Sequence, residues 1–159
     1  MKAIKAILYI IWQWTWGFFQ SLMGLCYMLK YRKCRHGWYH GAYVTYFTGW
    51  AGGISLGMFI FVGETTKELD DAYMKKYNKH YTKEIQEAVR VHEYGHTVQY
   101  LLLGPLYLFV VGIPSIIWAK TPKFVKMRQE TGKKYCDLYC EKWANYCGKM
   151  VTGEEPINN

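Results

Sequence analysis

A chain of 159 residues with a formal charge of +8 and 18% aromatic residues has room for one domain with one modest core. It carries no RNP motif and no basic recognition helix, so its positive charge points to an anionic lipid surface and away from nucleic acid. The fifteen tyrosines suit places where one end of a side chain is wet and the other apolar, membrane interfaces included. Residues 6–29, AILYIIWQWTWGFFQSLMGLCYML, hold no charge and are long enough to span a bilayer. Gln13, Gln20, Ser21 and the tryptophans at 12, 14 and 16 make a helix lying in the interface an equal alternative. No small-x-small cleavage site follows, so the segment does not read as a secretory signal. The expected division is a membrane-associated helix over 1–30 and a single domain over 31–159. Lys30, Arg32, Lys33 and Arg35 outnumber Lys2 and Lys5, which places the C-terminal side in the cytoplasm, at an inner or cytoplasmic membrane.

Residues 31–41 are basic and end in a turn-like His-Gly-Trp-Tyr-His-Gly link. The β-branched and aromatic runs 42–50 and 54–62, joined across Gly52-Gly53, predict an antiparallel hairpin. Its edge is one to which an extended peptide could add. Residues 64–83 are the most polar part of the chain and predict a solvated helix or loop.

Residues 84–103 predict a helix. Strong helix formers precede Ala88, and Ala88, Val91, Tyr94, Val98 and Leu101 form an apolar stripe that buries one side. On this helix lies His92-Glu93-Tyr94-Gly95-His96, an H-E-x-x-H pattern. Positions i and i+4 share a face, so two imidazoles can reach one metal ion, and Glu93 is placed to act as general base on a metal-activated water. Zinc is the expected ion, because catalytic zinc uses three protein ligands and keeps one open position. Gly95 costs a helix roughly 1 kcal/mol relative to alanine, bearable where a strand or substrate must approach the backbone closely. Gly104-Pro105 ends the helix, and residues 100–119, interrupted by two prolines and two glycines, predict a short segment dipping into the membrane beside Trp118, Lys120 and Lys123, with a buried apolar loop as the alternative.

A last helix is expected over 134–150. Cys136, Cys140 and Cys147 fall on one stripe of it and read as small buried hydrophobes. With no C-x-x-C pair among the five cysteines, a zinc ribbon or thioredoxin-type site is excluded, and free thiols favour a reducing compartment. Glu141 and Asn145 stand at i and i+4 on the same helix. Glu141 is the best third metal ligand, ahead of Glu130 and Asp137, and Asn145 is placed to accept the free ring N–H of a ligand histidine.

The pair H-E-x-x-H and, later, Glu141-x-x-Ala144-Asn145 resembles the gluzincin zinc metallopeptidases, and most of all the membrane-embedded minigluzincins. That group includes the CAAX-prenyl and heat-shock-induced membrane endopeptidases, whose later motif is E-x-x-A-D. Asn145 stands where they carry aspartate. Gln99 and Leu102 occupy the glycine and third histidine positions of the metzincin pattern and exclude it. The resemblance covers residues 88–99 and 141–145. It implies an α+β fold, mainly helical, with a small antiparallel sheet beside the H-E-x-x-H helix, and hydrolysis of a peptide or protein substrate with His92, His96 and Glu141 on zinc. Two rival expectations stand beside it: a non-catalytic membrane protein on a metallopeptidase-like scaffold, and a basic module that binds a membrane surface.

Overall fold

The computed structural model describes residues 2–158; Met1 and Asn159, the outer bounds of the two expected segments, lie outside them. The fold is α+β, with seven α-helices and one four-stranded sheet among the described residues. The uncharged N-terminal run is not one helix. It breaks at Trp16-Gly17 into α1 (Lys2–Thr15) and α2 (Phe18–Lys30). A side chain at Gly17 would overlap the ring of Tyr100 and the backbone of Gln13, so the break sits where the chain is pressed against the helix that carries Tyr100.

The sheet is built from two hairpins. Strands β1 (Arg35–Tyr39) and β2 (Ala42–Phe47) pair antiparallel around His40-Gly41, both at positive φ. Strands β3 (Gly53–Leu56) and β4 (Phe59–Gly63) pair antiparallel around Gly57, at φ +59. The hairpins join through β2 and β4, which run parallel, giving the order β1-β2-β4-β3. The sheet is therefore mixed and not antiparallel as the two apolar runs imply. The second run folds back on itself at Gly57, and the basic link supplies β1.

After α3 (Lys67–Tyr77), capped by the Thr66 hydroxyl, comes α4 (Lys83–Leu103), capped by Thr82. A 3-10 turn and a π-helical turn (Leu108–Gly112) lead to α5 (Ile113–Lys120), α6 (Pro122–Thr131) and α7 (Tyr139–Thr152). One face of the sheet packs on α4 through Val44, Ile60, Val62, Val89 and Tyr94. The other packs on α2 and α1 through Phe59, Phe61, Tyr27 and Trp14. Helix α7 lies on the far side of α4, so residues 91–97 are buried all round and not on one stripe.

Helix α1 turns its polarity inside out. Gln13 is fully buried and donates to the Thr97 carbonyl of α4, while Ile4, Ile7, Leu8 and Ile11 are exposed. Among the described residues no single helix is long and apolar enough to cross a bilayer; the bent pair Lys83–Leu106 and Leu108–Lys120, at 118°, passes that test only jointly.

Candidate metal centre

The site forms where α4 and α7 come into unusually close contact. A Cβ at Gly95 would overlap the carbonyl of Ala144, and one at Gly148 would overlap the carbonyl of Val91. The two glycines let the helix backbones interlock, so the backbone that approaches Gly95 is neither strand nor substrate but α7 itself. This contact carries Glu141, in the first turn of α7 and 0% exposed, to the histidines of α4.

His92 Nε2 lies 3.0 Å and His96 Nε2 3.3 Å from the same Glu141 Oε2. All three donor atoms lie within 4.8 Å of one another. Tetrahedral zinc, with ligand bonds of about 2.0–2.1 Å, places its ligands about 3.4 Å apart. The cluster could hold a metal ion of that size. Glu130 is on the surface beside Lys126, and Asp137 accepts the backbone N–H of Lys134; neither joins the cluster.

The proton positions follow from what stands behind each imidazole. Asn145 Nδ2 donates to the carbonyl of Ile157 (2.8 Å), leaving Oδ1 to accept from His92 Nδ1 (2.7 Å). Gln99 Nε2 donates to the carbonyl of Cys140 (2.7 Å), leaving Oε1 to accept from His96 Nδ1 (2.7 Å). A carbonyl only accepts, so each amide has one workable orientation, and each Nδ1 must carry a proton. Both Nε2 atoms then face Glu141. Burial raises the Glu141 pKa, but hydrogen bonds and charge from His92 and His96 more than offset that and hold it well below the usual carboxylate range. A carboxylate oxygen 3.0 and 3.3 Å from two Nε2 atoms that carry no proton needs a proton or a cation between them.

Glu93 is buried on the sheet side of α4, where a Cβ at Gly53 of β3 would overlap its Cγ. Burial raises its pKa to about 7; the neighbouring His92 lowers it, the charge of Glu141 raises it, and Ser55 of β3 hydrogen-bonds to it. Tyr107 stacks edge-on to His96 at 6.3 Å between centroids. Burial, then the charges of Glu93 and Glu141, push its phenol well above 10, with a hydrogen bond to Ser55 opposing them, so it stays a donor at neutral pH.

Gln99, Ser55 and Tyr107 are site residues that the motif reading passed over. Gln99 had a signal: a side-chain amide three residues after a candidate ligand lies on the same helical face. The other two arrive through tertiary packing and leave no local mark. Comparison of the chain with protein-family models, with curated proteins and with solved structures gives no match in any of the three.

Proposed function

We propose that the chain is a metal-dependent hydrolase. Within that class its reading is a zinc peptidase of the gluzincin type, related in design to the minigluzincins. The observation that carries this is the convergence of two Nε2 atoms on one fully buried carboxylate oxygen. His92, His96 and Glu141 would hold zinc, which supplies Lewis-acid polarisation of a peptide carbonyl and a more acidic water. Glu93, poised near neutrality, takes a proton from the attacking water and delivers it to the leaving amine. Tyr107, across Ser55 from Glu93, donates to the carbonyl oxygen as negative charge develops on it. Strand β3 is the sheet edge beside Glu93, where an extended peptide aligns its backbone.

The same reading places the protein on a lipid surface. Exposed apolar side chains cover one side of α1 and continue through Phe109, Ile113 and Ile116. Trp12, donating to the Leu101 carbonyl, and Trp16, seated on Gly104, join the two stretches into one face. An α1 of 14 residues is about 21 Å long, shorter than a hydrocarbon core of about 30 Å, so the face suits one leaflet. Lys120 and Lys123, just past the second stretch, suit anionic headgroups. The unpaired thiols of Cys26, Cys34, Cys140 and Cys147 favour a cytoplasmic leaflet.

The experiment is zinc analysis of purified protein together with cleavage of an unstructured protein such as casein in the presence of vesicles. The wild type is expected to hold one zinc per chain. Glu93→Gln should keep the zinc and lose about 100-fold or more of the turnover, and Tyr107→Phe should lose about 100-fold with zinc unchanged. Turnover undiminished in Glu93→Gln, or no stoichiometric zinc, overturns the reading in favour of a non-catalytic scaffold or a surface-binding module.

A further inference from the structure

The two ligand histidines are held by the same device anchored in different places. Behind His96 the anchor is the carbonyl of Cys140, inside α7 and next to Glu141 itself. Behind His92 the anchor is the carbonyl of Ile157, five residues beyond the end of that helix. Residues 153–158 run back across α4 and are fixed there at several points. Ile157 N–H donates to the Ala88 carbonyl at 3.0 Å, and its side chain packs on the cluster of Val89 and Tyr94. Arg90 pairs with Glu154 at 3.1 Å, and Cys136 Sγ donates to the Ile157 carbonyl at 3.4 Å.

We infer that residues 153–158 are a positioning element of the metal site: the Ile157 carbonyl, acting through Asn145, fixes the proton of His92 on Nδ1 and makes asparagine the residue required at 145. The inference rests on the metal-site reading above and adds a part to it. Its logic is that of acceptors and donors. With the tail docked, the position facing Ile157 must be a donor and the position facing His92 an acceptor. Asparagine has one of each, and aspartate has two acceptors. An aspartate here would set a carboxylate oxygen against a carbonyl oxygen at the 2.8 Å now spanned by a hydrogen bond. It would have to rotate away from His92 or displace the tail. The charged residue that would hold a ligand histidine more strongly in isolation is therefore the worse one in this setting. Freed of the tail, the ranking reverses.

The test is a two-by-two set: wild type, Asn145→Asp, Ile157→Asp to undock the tail, and the double variant. Zinc affinity is read by competition with a chromogenic chelator. The tautomers of His92 and His96 are read from ring nitrogen shifts of the metal-free protein. Asn145→Asp is expected to weaken zinc binding about 10- to 100-fold, the range for residues that orient a ligand. Ile157→Asp should also weaken it and should release His92, but not His96, from a fixed Nδ1–H state. In the Ile157→Asp background, adding Asn145→Asp should cost nothing or restore affinity. Losses that simply multiply, or an Asn145→Asp protein that binds zinc as tightly as the wild type, overturn the proposal. If Ile157→Asp does not fold, the affinity of Asn145→Asp alone decides. If the wild type takes up no zinc, the metal reading fails separately. The inference then stands or falls on whether His92 holds its proton on Nδ1 in the wild type and loses that preference in Ile157→Asp.

Discussion

Helices α4 and α7 hide charge, whereas α1 and the stretch 102–117 display grease. The first pair buries the imidazoles of His92 and His96, the carboxylates of Glu93 and Glu141 and the amides of Gln86 and Gln99. The second leaves Ile4, Leu8, Leu102 and Phe109 exposed while Gln13 goes to the interior. Both arrangements invert the usual distribution, and each is informative for that reason: a buried polar group needs a partner, and a contiguous exposed apolar face needs a cover. Composition already sets α1 apart, since residues 6–29 are a long uncharged run, but it does not say which of its side chains face out.

The contrast can be broken most forcefully at Gly95. Gly95→Val drives a side chain into the Ala144 backbone and should lower stability by about 3 kcal/mol or more in thermal or denaturant unfolding. A near-neutral result would mean that the interlock of α4 with α7 is wrong. Glu93 offers a comparable effect that depends on pH. Its folded pKa, about 7, lies above its ordinary value of 4.5. It therefore contributes stability that is fully present below about 4.5 and lost as pH rises through about 7. Metal-free wild type should lose up to about 3 kcal/mol relative to Glu93→Gln across that window, with no difference below it. Denaturant midpoints at pH 4 and pH 8 check this. Glu141→Ala should weaken zinc binding by about 100-fold or more, the upper end of what orienting residues alone contribute. Glu130→Ala, exposed on α6, should leave zinc binding unchanged in the same chelator competition. The smallest effect on folding is expected on the greasy side. Ile7→Asp with Phe109→Asp should change stability by less than about 0.5 kcal/mol each, yet abolish sedimentation with anionic vesicles; retained sedimentation would detach the apolar face from lipid.

The two motifs could be read from the chain because helical periodicity is local. His92 and His96, and likewise Glu141 and Asn145, share a face whatever surrounds them. That the two faces meet could only be guessed, since it depends on Gly95 and Gly148 permitting a close approach between segments some fifty residues apart. The sheet was legible in composition but not in topology. Residues 54–62 look like one apolar strand, and nothing local marks Gly57 as the turn that splits them and frees β4 to pair parallel with β2. The inverted polarity of α1 was hidden because Gln13 in an uncharged run reads the same whether it faces lipid, water or protein.

The parallel pairing of β2 with β4 also bears on how the chain reaches its final shape. Each hairpin closes over a few residues and can form early, but the parallel ladder must wait for the intervening segment to loop over, a slower and less local event. Helix α4 lays its apolar side on the finished sheet, and α7 is the last long helix to be made. The His92–His96–Glu141 group joins helices some fifty residues apart, so closing it costs more chain entropy than closing either hairpin.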